Sequence, residues 1–525
     1  MAIQDSGTAA ANPDDSGTGL AVTEVCTDAC PTAKDGTCDE GRRRTGSQLL
    51  AGHGDPAIYP VKCDLGTDCS DCGPWAYSGS AAALEWKPIQ EILAKNFTVR
   101  ARLTATPVPF WMAYTDPQLD LDVSRQLQEA GLVEPGFSVL WHRILKEGCL
   151  GVDGQRRLVL DVGANFGYYT LLAAALGCRV IAWEPVPYFA SFLQYGLQRN
   201  NLTDRVQIQS SIVGAADGKP LTLVVPNRGI WGTAGVDGLN IDPAVDNQGQ
   251  YDRIERQAER LDSVVMEDVL LMKVDVEGYE PLVLRSAARL LLEHKVDNIV
   301  MEYSPGVAER HHDWALYTDN PAALVRLLNH GYSILRLDGL SIEAGWEGPL
   351  PSMGQLTTQV LAHDIEDGYR LGNGTLGCPL PPETQAHSWA CNFIPEWLHP
   401  HSFHSLFGHN TNLWAVRQDS PSASLARPGA PACLFPLEAD ARRWLTPRAF
   451  GAGGRLCADL PPAVQVMSRC KCTDRTVCGD LEDLVLRLAR DGKLPPHNSE
   501  PYPWQASVDG LRLEEWALAA TLESG

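Results

Sequence analysis

The chain has 525 residues, 44% hydrophobic and 21% charged, the balance of a folded protein with about two to four domains. Its formal net charge of −22 excludes a basic face for nucleic acid and a polybasic membrane patch. No run reaches the roughly 20 apolar residues a membrane helix needs, so no membrane span is expected in this chain.

Residues 1–22 are rich in Gly, Ala, Ser and Asp and read as a disordered acidic leader, or as the start of a chain cut below a removed anchor. Residues 23–76 form a cysteine-rich module. Six of the 15 cysteines fall here, at 26, 30, 38, 63, 69 and 72, and five more lie between Cys433 and Cys478. Such clusters point to disulfides made in an oxidising compartment, the Golgi lumen or the extracellular space. Sequons at Asn96, Asn201 and Asn373 agree with that route. The odd count leaves at least one thiol unpaired or paired between chains. The module is also rich in acids. Asp35, Asp39, Asp64 and Asp68 are candidate ligands for calcium, and an acidic disulfide knot without metal is the alternative. Its text, CDEG followed by GTDCSDCG, resembles short modules of secreted algal proteins and, distantly, Notch-type repeats, which combine calcium with disulfides.

From 85 to 417 apolar β-branched runs alternate with helical periodicity, the sign of an α/β fold with a parallel sheet and helices on both faces. Strands are expected at LVLDVG, RVIAWEP, VQIQSSIVG, TLVVP, LLMKVDVEG, NIVMEYSP and YSILRLD. Helices are expected at 169–176, 188–199, 281–293 and 321–330. The segment 226–250 is glycine-rich and polar and reads as a mobile substrate loop. Residues 418–525 form a cysteine-containing extension with one expected helix, DLEDLVLRLARDG.

The stretch LVLDVGANFGYYT, residues 158–170, carries a glycine turn between a strand and a helix. The dinucleotide fingerprint G-x-G-x-x-G needs a middle glycine where pyrophosphate approaches the backbone. Here the turn is Gly163-Ala164-Asn165-Phe166-Gly167, without that glycine, and Asp161 stands just before it. A carboxylate there repels a pyrophosphate and suits a cation. S-adenosylmethionine (SAM) offers an ammonium and a sulfonium and no phosphate. Asp161 would receive its amino acid end, directly or through water. Gly163, Ala164, Asn165, Gly167 and Tyr168 would lie along its methionine part. Glu184, followed by Pro185, would take the ribose hydroxyls, and Ser210 or Ser211 would sit near the adenine. The plainer alternatives are a helix cap for Asp161 and a surface acid for Glu184.

LVLDVGANFGYYT, AWEP and above all MKVDVEGYEPLVLRSA resemble the FkbM-type methyltransferases, over about residues 110–340, with NTNLWAVR at 410–417 as a further candidate stretch. The resemblance implies a class I Rossmann-like sheet and SAM-dependent methylation of oxygen, often on sugar hydroxyls. The cysteine-rich flanks lie outside it.

A hydroxyl acceptor needs alignment and a route for its proton. Asp275 ends the strand in KVDVEG and is the first candidate base, with Glu277 next and Glu302 in support; Glu280 is expected to cap the following helix. Asp275 and Glu302 on neighbouring strand ends could instead share a magnesium ion. His311, beside His312, is an alternative base. His399, His401, His404 and His409 form a second histidine group, weighed for zinc or for acceptor contacts. Trp231 and Trp314 are candidate sugar-stacking faces. The expected function is therefore O-methylation, with a glycan hydroxyl as acceptor. A lipid, small-metabolite or peptide acceptor is the first alternative, and a secreted non-catalytic binding protein on the same fold is the second.

Overall fold

A computed structural model describes residues 22–42, 58–241, 251–337, 340–372, 403–404, 409–431, 508 and 510–523. Seven strands build the central sheet: β1 Leu158–Val162, β2 Arg179–Trp183, β3 Val206–Gln209, β4 Val269–Val274, β5 Asn298–Tyr303, β6 Tyr332–Arg336 and β7 Thr411–Arg417. Their order is β3-β2-β1-β4-β5-β7-β6, and two short strands, Met353–Gln355 and Pro428–Pro431, extend the β6 edge. Strands β1 to β5 run parallel. The order reverses between β1 and β4, and ligands of open α/β sheets bind at such a switch point.

All five residues of β1 and all six of β4 are buried, as strands covered on both faces must be. Their alternating side chains feed two cores. Val159 and Leu271 join one, with Trp141, Leu171 and Phe192. Leu160, Met272 and Val274 join the other, with Leu284, Ile299 and Leu324.

Seven helices matter here: α1 Val123–Ala130, α2 Pro135–Leu145, α3 Tyr168–Ala175, α4 Pro187–Arg199, α5 Glu280–Ser286, α6 Ala288–Glu293 and α7 Trp314–Asn329. The helix expected at 281–293 breaks at Ala287, whose φ of −97° and ψ of 6° leave the helical range. The one expected at 321–330 starts earlier, because Asp313 caps it by accepting the Leu316 N–H at 3.0 Å. Pro321 lies inside that helix.

YSILRLD forms β6, and β7 enters between β5 and β6 and runs antiparallel to both. The run VQIQSSIVG divides: β3 stays in the main sheet, while Ile212–Val213 pairs with Tyr251–Glu259 in a separate four-stranded sheet. TLVVP is a strand as expected and pairs antiparallel with that same strand.

In the N-terminal module, disulfides join Cys26–Cys69, Cys30–Cys63 and Cys38–Cys72, so the first cysteine pairs with the fifth, the second with the fourth and the third with the sixth. The module does not stand apart. Ile58–Val61 pairs with Val99–Leu103, and the Tyr195 hydroxyl on α4 donates to the Glu40 carbonyl at 2.7 Å. A fourth disulfide, Cys149–Cys178, ties the loop after α2 to the turn before β2. At the other end, helix Leu513–Glu523 returns to the sheet domain, with Trp516 facing the guanidinium groups of Arg285 and Arg326. The leader, the cysteines between 433 and 478, Asn373 and the helix expected at DLEDLVLRLARDG lie outside the described residues.

Candidate active site

A cleft of about 580 Å³ opens at the carboxyl ends of β1, β2, β4 and β5. The glycine turn forms its floor. Gly163 has φ 84°, and a Cβ there would come within 1.9 Å of the Asp275 carbonyl oxygen. Gly167, also at φ 84°, faces Leu193, where a Cβ would sit 2.2 Å from Cδ1. Both glycines are therefore required by close approach as well as by backbone conformation. Asn165 adopts φ 52°. Its N–H donates to Glu184 Oε2 at 2.6 Å, while Val186 N–H donates to Oε1 at 2.8 Å. Burial pushes the Glu184 carboxyl up to about 8, against the pull of those two amides.

Ala164, Asn165, Tyr168, Glu184, Pro185 and Ser211 all line the cleft. The Ser211 hydroxyl donates to Glu259. Ser210 is exposed and lies off the lining. Phe166, Phe189 and Trp231 form an aromatic wall, with the last two rings stacked at 5.6 Å. Trp231 thus lines the cleft, whereas Trp314 stacks on His312 away from it.

Asp161 is not on the lining. It is fully buried, its Oδ2 accepts from Thr170 Oγ1 at 2.6 Å, and the Lys273 ammonium lies 3.6 Å from its Oδ1. Asp161 therefore faces Lys273 rather than opening onto the cleft. This lysine lines the cleft and was not picked out from sequence. Burial alone would lower its pKa, but Asp275 and Asp161 beside it overcome that and hold the ammonium above its ordinary value.

On the opposite side three carboxylates converge. One oxygen each from Asp275, Glu277 and Glu302 lies within 4.8 Å of the others. Lys273 Nζ pairs with Asp275 Oδ2 at 3.0 Å. Asn240 Nδ2 donates to Glu277, and Asn410 Nδ2 donates to Glu302. Burial raises Glu277 and Glu302 well above the usual carboxylate range, and neighbouring acids push the same way: Asp275 on Glu277, then Glu277 on Glu302. Glu280 is fully buried and off the lining; it is the first residue of α5 rather than its cap, which is Tyr279, and its Oε1 accepts the Gly278 N–H at 2.9 Å and so holds the preceding turn. Two further acids on this side have no motif around them. Glu134, ahead of α2, accepts from the Tyr169 hydroxyl at 3.0 Å and is pushed up to about 7 by burial and then by Asp275. Asp122, ahead of α1, is pushed up to about 6 by burial and then by Asp120. Glu134 and Glu277 are held at φ 41° and 58°, a region glutamate rarely adopts.

The strap 226–241 roofs the cleft. Asn240 is its latch, since its Oδ1 accepts from Arg310 Nη2 at 2.7 Å and lies 3.0 Å from His409 Nε2. The rest of the loop, 242–250, lies outside the described residues.

The histidines divide. His311 is exposed, its Nε2 lies 2.7 Å from the Leu239 carbonyl, and it is not on the lining. It follows directly on the helix Pro305–Arg310, whose last residue does line the cleft. His409 does line the cleft, and burial, then Arg310, lowers it to about 3. His404 is buried against Glu309 at 2.8 Å. His404 and His409 make no shared ligand set among the described residues, and His399 and His401 lie outside them.

The calcium candidates do not converge either. Asp35 accepts the Thr37 N–H within its own turn, and Asp64 accepts the Ile89 N–H at the start of helix Pro88–Ala94. Asp39 and Asp68 do approach each other, but Lys62 holds Asp39 at 2.9 Å and Cys63, beside them, is in a disulfide.

Residues 161–334 match the family model of the methyltransferase FkbM domain. Eight chains of solved structures also match. One is a crystal structure of a methyltransferase FkbM from Methylobacillus flagellatus, 21% identical, with a TM-score of 0.20 over 29% of this chain and 35% of that one. The match thus spans about a third of that protein's length. No curated protein matches. Residues 161–334, which include the carboxyl ends of β1, β2, β4 and β5, are thus similar to the methyltransferase FkbM domain.

Proposed function

We propose that the protein is a SAM-dependent O-methyltransferase acting on a hydroxyl, with a sugar hydroxyl of a glycan as the acceptor, in the lumen of the secretory pathway or outside the cell. One observation carries the reading: at the switch point between β1 and β4, a phosphate-averse glycine turn faces three convergent carboxylates across one cleft. The lining suits a cation, because a positive ligand would favour ionisation of the raised carboxyls Asp122, Glu134, Glu184, Glu277 and Glu302, which share it with Asp275, Lys273 and Arg310. Pyrophosphate would meet those acids without the middle glycine that lets it approach the backbone.

SAM supplies an already activated methyl group when bound. The chain's own residues would do the rest. Gly163, Ala164, Asn165 and Tyr168 hold the methionine end, Gly167 lets the turn pack on Leu193 off the lining, Glu184 and Pro185 hold the ribose, and Ser211 with the aromatic wall the adenine. Asp275 takes the proton from the acceptor oxygen. Glu277 and Glu302 accept hydrogen bonds from neighbouring hydroxyls. The strap 226–241 excludes water.

A second reading keeps the same residues and adds magnesium, because the three carboxylate oxygens within 4.8 Å are the hard donors that ion takes. There it would polarise the acceptor oxygen and make a proton acceptor of ordinary strength sufficient.

The test is calorimetric titration with SAM and, separately, NAD, followed by methyl transfer to a glycan panel read by mass. SAM binding with methylated glycans supports the proposal. Transfer to lipid, metabolite or peptide alone moves the acceptor class. SAM binding with no transfer to any of them favours a binding protein, and no SAM binding by folded protein sinks the enzyme reading. Loss of transfer on chelation, restored by magnesium, selects the metal-assisted form.

A further inference from the structure

One side chain joins the two halves of the cleft. Lys273 stands on β4 directly across from Asp161 of β1 in the strand register. Side chains alternate along a strand, so Asp275, two residues on, shares that face. The ammonium therefore meets oxygens from two strand ends and a turn. It donates to the Gly163 carbonyl at 2.9 Å, pairs with Asp275 Oδ2 at 3.0 Å and faces Asp161 Oδ1 at 3.6 Å. The Tyr169 ring covers it, 5.6 Å from centroid to nitrogen, and the side chain is only 4% exposed.

The distances separate two roles. A lysine present only to neutralise buried Asp161 would sit closest to that carboxylate. Here the two short contacts go to the glycine turn and to Asp275, and Asp161 is the most distant of the three. An ammonium carries three protons and no acceptor, so it can serve the turn and the acid together. Asp161 is in turn fixed to α3 through Thr170.

We infer that Lys273 is a positioning residue that couples the cofactor turn to the acid on β4. One ammonium fixes the Gly163 carbonyl, and with it the path of residues 163–167. The same ammonium holds Asp275 Oδ2, and so fixes the orientation of that carboxylate toward the acceptor side. The cofactor arm of this inference rests on the reading of the cleft as a SAM site; the coupling itself does not.

The experiment compares wild type, Lys273→Met and Lys273→Arg by amide hydrogen exchange without ligand and by calorimetric titration with SAM. The expected result for Lys273→Met is at least tenfold faster exchange at residues 163–167 with β5 amides unchanged, and SAM binding at least tenfold weaker. Lys273→Arg, which keeps the charge, should recover most of the turn protection. If Lys273→Met does not fold, Asp161→Asn/Lys273→Met removes both buried charges and is expected to show the same local loosening. Wild-type protection of the turn in a folded methionine variant overturns the inference, and so does uniform loosening that includes β5. A wild type that binds no SAM defeats the cofactor reading, while the exchange measurement still decides the coupling.

Discussion

Glu184 is held by two backbone amides of the turns on either side of it. Replacing it by Gln presents an NH₂ to one of those N–H groups, so the substitution should cost cofactor binding through the turn as well as through the ribose. A buried N–H left without an acceptor costs about 1–3 kcal/mol, so Glu184→Gln should weaken SAM roughly fivefold to a hundredfold in a calorimetric titration. Gly163→Ala should do more, because its Cβ would meet a backbone oxygen at 1.9 Å. A loss of at least the roughly 1–3 kcal/mol of an overpacked site is expected in denaturant unfolding, with SAM binding abolished. At this scale the sequence was partly legible. The turn, Glu184 and the acids of KVDVEG could be read because strand ends point into such sites. The actual role of Asp161 could not, because which ammonium a carboxylate meets depends on cross-strand register. The signal for Lys273 was nevertheless present: a lone lysine in the apolar run LLMKVD, two residues before an acid on the same face. Glu134 and Asp122 carried none, since their loops precede helices that sequence spacing does not aim at the sheet.

Among the elements, the strap 226–241 is fastened at both ends. Gly229 exchanges backbone hydrogen bonds with Leu119 and Leu121, and Asn240 holds Glu277, Arg310 and His409. Asn240→Ala frees one end. Faster amide exchange at 230–241, with little change in the thermal midpoint, is the expected outcome; unchanged exchange there would show that the latch lies elsewhere. The strand runs β1, β2, β4 and β5 could be read from sequence because each is mainly apolar and leads into Gly, Pro or an acid. The place of β7 could not. Nothing in NTNLWAVR tells that it enters between two strands made more than 70 residues earlier, and the register of a non-local strand is set by packing, not by local propensity.

For the whole molecule, the buried acids set the response to pH. Ordinary values are 3.8 for aspartate and 4.5 for glutamate, while in the fold Asp122 stands at about 6, Glu134 and Glu280 at about 7 and Glu184 at about 8, each raised first by burial. The native state therefore holds more protons than the unfolded chain across that window. Stability from these groups is full below their unfolded values and is lost as pH rises through the folded ones. The thermal midpoint of the ligand-free protein should fall from about pH 5 to about pH 8, and Glu184→Gln/Glu280→Gln should flatten the slope. The disulfides act on the same scale. Cys149→Ser/Cys178→Ser removes a crosslink spanning 29 positions and should cost about 2–4 kcal/mol in denaturant unfolding. The clustered cysteines were legible as a stapled module. Its docking on α4 was not, because the Tyr195–Glu40 contact joins residues 155 positions apart.

The late strand β7 has a consequence for how the chain is made. Strand β5 is complete at Tyr303, yet one of its neighbours does not begin until Thr411. At about 5–20 residues per second of synthesis, the intervening stretch takes roughly 5–20 s to emerge. For that time the apolar run NIVMEY presents an open edge to every other nascent chain nearby, the kind of edge that templates aggregation. The protein's yield in a cell is thus expected to follow translation speed between β5 and β7, and slowing codons there should cost soluble product even though they change no residue.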